Sequence, residues 1–82
     1  MPQTPSFLTR ITARADVFGG KPIIRDLRIS VEMILSLLSQ GETVEFLLQD
    51  YPELEREDIL ACMAYAHHVI ANDSLDEILV AT

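Results

Sequence analysis

Five cations crowd the start of the chain. Arg10, Arg14, Lys21, Arg25 and Arg28 stand within residues 1–30 against only Asp16 and Asp26. Guanidinium and ammonium groups at that density suit phosphate contact, because each neutralised phosphate releases condensed counterions. If all five touched DNA, binding would weaken with salt along a log–log slope of about 4.5. The competing reading is internal pairing, or a plain solvated surface. Residues 31–82 supply the acceptors, with eleven carboxylates and a single cation, Arg56. The chain is therefore electrically two-ended. Its net charge of −7 disfavours a general affinity for phosphate backbones.

Other chemistry-bearing groups are poorly spaced for catalysis or metal. His67 and His68 are adjacent, so on a helix they diverge by about 100° and cannot share an ion. Cys62 is out of register with His67, which predicts no metal site and a packed core thiol. Gly19-Gly20-Lys21 lacks the remaining spacing of a Walker loop and is not followed directly by a helix, so it reads as a hairpin turn. No nucleophile stands beside an activating histidine. The carboxylates fall at expected helix starts and solvent faces, and so short a chain has little room for a cleft. The expectation is a binding protein, neither an enzyme nor a cofactor carrier.

The elements that must position these groups follow from patterning. The run Phe7-Leu8-Thr9-Arg10-Ile11-Thr12 is partly alternating and predicts a short strand. Gly19-Gly20-Lys21-Pro22 then forces a tight turn. The stretch Ile23–Ile29 suggests two very short strands bent at Asp26. Ser30 is a helix N-cap before Val31, Ile34, Leu35 and Leu38, and Gly41 ends that helix. Thr43 caps a second helix with inner face Val44, Leu47, Leu48 and Tyr51, stopped by Pro52. A third opens at Glu55-Arg56-Glu57-Asp58, where carboxylates suit the positive dipole end. Its expected inner stripe is Ile59, Cys62, Met63, Ala66, Val69 and Ile70. Ser74-Leu75-Asp76-Glu77 is a capping box for a short last helix with apolar face Leu75, Ile78 and Leu79.

These elements predict a mainly α fold with a short N-terminal β element, a tri-helical bundle of homeodomain-like or helix-turn-helix spacing. One domain fits 82 residues. The reading divides it into an arm (1–8), the domain proper (9–71) and a helical tail (72–82). Apolar residues make up 49% of the chain, enough for a core. A domain of this size is commonly marginal alone, and with one cysteine and no zinc spacing, self-association as a dimer or higher oligomer is the expected remedy. Nothing resembles a secretory leader, and no apolar run approaches the ~20 residues of a membrane span, which predicts a cytoplasmic protein without membrane contact.

The segment Asp16-Val17-Phe18-Gly19-Gly20-Lys21-Pro22-Ile23-Ile24-Arg25, followed by Arg28-Ile29-Ser30-Val31, closely resembles the domain of unknown function family 433. Gly41-Glu42-Thr43-Val44-Glu45, Asp50-Tyr51-Pro52, Glu57-Asp58-Ile59 and Ala64-Tyr65-Ala66 extend the likeness over roughly residues 9–71. The resemblance implies a small helix-turn-helix antitoxin that binds and silences a PIN-type nuclease toxin and, with it, represses its own operon. Two positions depart from the family pattern. Asp26-Leu27 replaces a usual Gly-Thr, and Glu55 replaces a typical Thr N-cap, at a cost of about 1 kcal/mol.

On this reading the candidate DNA contacts are Arg10, Arg14, Lys21, Arg25 and Arg28, and the candidate toxin contacts are Leu75, Ile78 and Leu79. The third helix offers few tools for base readout, with Arg56 flanked by carboxylates, so operator binding would need a dimer or a complex with the toxin. The alternative is a protein-interaction or dimerisation module that does not bind DNA.

Overall fold

The computed structural model describes residues 6–72, in the order 3-10 turn, two short strands and three helices. Strand β1 (Ile11–Ala13) pairs antiparallel with β2 (Pro22–Ile24), matching Ile11 with Ile24 and Ala13 with Pro22. The expected longer first strand is a correction. Ser6–Arg10 forms a 3-10 turn packed on the third helix, and only Ile11–Ala13 is extended. Phe7 and Leu8 are half-buried there. Burial against a helix, with no partner strand beside it among the described residues, decides the conformation over residue propensity.

After β2 the chain turns back at once. The Ile24 carbonyl accepts from the Leu27 N–H at 2.8 Å, the Ile24 N–H donates to Ile29 at 3.0 Å, and Ile23 bridges to Ser30. The two short arms expected around Asp26 are thus present in reduced form. The residue in the left-handed region, however, is Arg25 (φ 49), so the departure at Asp26 does not fall on the strained position.

Helix α1 (Val31–Ser39) starts where Ser30 predicts it to, the Ser30 hydroxyl accepting from the Met33 N–H at 3.0 Å. It ends in a Schellman turn. The Glu42 N–H donates to the Leu37 carbonyl and the Gly41 N–H to the Leu38 carbonyl, with Gly41 at φ 97. Open space surrounds a Cβ built at Gly41, so a side chain there costs backbone strain alone. Gly41→Ala is expected to lower stability by roughly 1–2 kcal/mol without changing the fold, read by urea titration of the helical circular dichroism.

Helix α2 (Val44–Asp50) is capped by Thr43, whose hydroxyl accepts from the Phe46 N–H at 3.0 Å. The linker Leu54 is buried, and helix α3 (Arg56–Ala71) follows. One core joins Ile24, Ile29, Val31, Ile34, Leu47, Leu54, Ile59 and Cys62. It covers mainly the first half of α3, where Asp58, Ile59, Ala61 and Cys62 are buried. Met63, Val69 and Ile70, read as inner residues, are instead exposed. The expected stripe is too long and too wide: the fully buried residues of α3 end at Cys62.

Candidate functional site

The basic arm and the acidic helix start meet at one buried carboxylate. Asp58 is fully inaccessible to solvent. Its Oδ1 accepts from Arg10 Nη1 at 2.9 Å and from Arg25 Nε at 3.1 Å. Its Oδ2 accepts from Arg25 Nη2 at 2.7 Å and from the Glu55 N–H at 2.8 Å. Four donors fill about the four acceptor sites that a carboxylate offers. Arg25 Nη2 also donates to the Glu53 carbonyl at 2.9 Å, and Arg10 Nη1 also reaches Glu55 Oε1 at 2.7 Å.

Each participant is placed by its element. Arg10 closes the 3-10 turn, Arg25 leaves β2, and Asp58 sits in the first turn of α3. Arg25 is steered by its left-handed backbone, whose N–H donates to the Arg10 carbonyl and whose carbonyl accepts from the Thr12 hydroxyl. Burial alone would push the Asp58 carboxyl up. The hydrogen bonds from Arg25, the Glu55 N–H and Arg10 outweigh it and hold the group below the usual aspartate range. Asp58 also closes the N-terminus of α3 by reaching back to Glu55, which offsets the missing threonine cap. Asp58 lies at a helix start as expected, but there it is buried and does not face solvent. Its place three residues after the N-cap was the available signal, since that is the reciprocal position of a capping box.

Of the five candidate DNA contacts, four are ion-paired within the chain. Arg10 and Arg25 hold Asp58; Arg14 pairs with Asp16 and Asp26; Lys21 reaches Glu32 at 2.8 Å. Arg28 is exposed and makes no ion pair among the described residues. The candidate toxin contacts Leu75, Ile78 and Leu79 lie outside the described residues. His67 and His68 are both exposed on α3.

Cys62 is a core thiol as expected. Burial, with the charge of Asp58 nearby, pushes it up to about 12. The native protein is therefore expected to resist a thiol-reactive disulfide reagent at pH 8 and to react fully once denatured, as followed by absorbance.

The fold is a small helical domain clasped by an N-terminal hairpin, with no helix among the described residues long and apolar enough to cross a membrane. Residues 11–66 match the model of the family of proteins of unknown function DUF433, and the chain belongs to that family. It is similar to the uncharacterized protein y4eO of Sinorhizobium fredii, with 32% identity over 56 residues. Those residues are 68% of this chain but only 25% of that protein, so the likeness spans about a quarter of its length. No solved structure matches.

Proposed function

We propose that the protein is an antitoxin-type regulator of a type II pair. Its acidic surface binds and neutralises a cationic nuclease of the PIN type, and the three helices form a helix-turn-helix domain that meets operator DNA as a dimer or together with the toxin. One observation carries the protein-binding half. Once the internal ion pairs are formed, the free charge of the described surface is acidic: Glu42, Asp50, Glu53 and Glu57 have no ion pair among the described residues, whereas Arg28 alone of the cations has none. A nuclease needs a cationic groove for its substrate, and an anionic protein surface competes for that groove by the same electrostatics.

The reading is tested by co-expressing the chain with the product of its neighbouring reading frame. Co-purification in stoichiometric amount, with loss of the neighbour's nuclease activity, is expected. A shift of the upstream DNA over a salt series tests the second half. A complex that forms without any salt-dependent shift makes the protein an interaction module that does not bind DNA. Absence of both overturns the antitoxin reading.

A further inference from the structure

The two arginines on Asp58 hold it differently. Arg25 grips it from two nitrogens, Nε to Oδ1 at 3.1 Å and Nη2 to Oδ2 at 2.7 Å, and is fixed besides to the Glu53 carbonyl. Arg10 reaches it with one nitrogen, Nη1, which it shares with Glu55, and the Glu55 side chain is 57% exposed. Taking Arg10 away leaves Asp58 its two bonds from Arg25, its bond from the Glu55 N–H and one matching charge. A bidentate pair is the stronger tie, whereas a one-point contact at the surface is a weak one. Arg10 can therefore leave without stranding an unpaired buried charge.

The turn that carries Arg10 is separable in the same sense. Ser6–Arg10 lies against α3, and Phe7 and Leu8 are half-buried there but stand outside the core built around Ile24 and Ile59. Its last residue is pinned, because the Arg10 carbonyl accepts from the Arg25 N–H. That bond is a pivot about which the segment before it can swing off α3 while the hairpin and the core keep their contacts.

We propose that Ser6–Arg10 is a releasable latch, and that the seat it leaves on α3 takes an arginine from the cationic partner of the proposed complex. The seat's chemistry is shown by its present occupant, a guanidinium on Glu55 and Asp58 preceded by two apolar side chains. Release adds the Glu55 carboxylate to Glu53 and Glu57, which have no ion pair among the described residues. The surface thus becomes more anionic where a cation has left, which favours another cation in its place. The partner's identity rests on the antitoxin reading; the latch does not.

Titrating the nitrogen-15-labelled full chain with the peptide N-acetyl-Ser-Phe-Leu-Thr-Arg-amide, followed by NMR, tests both parts. Arg10→Ala should keep a cooperative urea transition and bind the peptide with shifts centred on Glu55 and Asp58. The parent should bind it at least about tenfold more weakly, because a closed latch lowers the apparent affinity by the fraction of open chains. Leu8→Asp, which unseats the apolar part, should bind as Arg10→Ala does. The same peptide ending in glutamate should not bind, and adding Glu55→Gln to Arg10→Ala should weaken binding about threefold.

An Arg10→Ala chain without a cooperative transition makes the turn an integral part of the domain and overturns the latch. Equal binding by the parent and Arg10→Ala, shifts centred away from Glu55 and Asp58, or binding by neither chain overturns the seat. If the peptide binds as expected but no neighbouring gene product co-purifies, the latch and its seat stand, and the antitoxin reading alone falls.

Discussion

Asp58→Ala is expected to lower the unfolding free energy by about 3 kcal/mol, a large share of the ~5 kcal/mol at the low end for small domains. The substitution removes the acceptor of four hydrogen bonds at once: two from Arg25, one from Arg10 and one from the Glu55 N–H. It also opens the N-terminus of α3. Both arginines remain partly accessible and can turn to water, which keeps the loss below that of a pair buried on both sides. Asp58→Asn keeps the shape and one acceptor oxygen, so it should fall between the parent and the alanine variant.

The same group sets part of the acid limb. Its carboxyl is held below the ordinary value of 3.8, so its stabilisation is complete above that value and is lost as pH falls through the folded-state value. The Asn variant should therefore show a flatter decline of stability below about pH 4. Glu32, held low by Lys21, and Glu45, held low by its own backbone N–H and Arg56, are both exposed and add little. Urea titrations at pH 3, 4, 5 and 7 check the whole prediction, and equal acid slopes in parent and Asn variant would refute it.

Local signals were legible where a side chain acts on its own backbone. Ser30, Thr43 and Gly41 each mark a helix end, and each does so through bonds within five residues. The glycine turn was legible for the same reason, since Gly19 and Gly20 both take positive φ. What could not be read was the long-range pairing. Arg10 and Arg25 find Asp58 across 48 and 33 residues, and nothing in residue type distinguishes them from Arg28, which finds no such partner among the described residues. The third helix shows the same limit in its apolar face. Ile59 and Met63 look equivalent by periodicity, yet one is buried and the other exposed although Cys62 beside it is buried, because burial depends on which sides of α3 the rest of the chain covers.

This contrast between arginines makes a second, sharper expectation. Arg25→Glu should unfold the domain at 25 °C or come close to it, with a loss exceeding about 3 kcal/mol. It removes the bidentate donors to Asp58 and the bond to the Glu53 carbonyl, and it sets a new carboxylate against a buried one. Arg28→Glu should stay within about 0.5 kcal/mol of the parent, because an exposed side chain without an ion pair has little to lose.

A DNA shift lost in the Arg25 variant therefore says nothing about phosphate contact unless circular dichroism shows that variant folded. The informative variant is Arg28→Glu. With four cations already paired to the chain's own carboxylates, the salt slope per protomer should lie nearer ~1 than ~4.5, and Arg28→Glu should lower it by about 0.9. If the slope of the parent is close to 4.5, the ion pairs at Arg10, Arg14, Lys21 and Arg25 open on the nucleic acid. Asp58 would then exchange its arginine partners for water when DNA binds, and bound DNA would shift the acid limb of the parent but not that of Asp58→Asn.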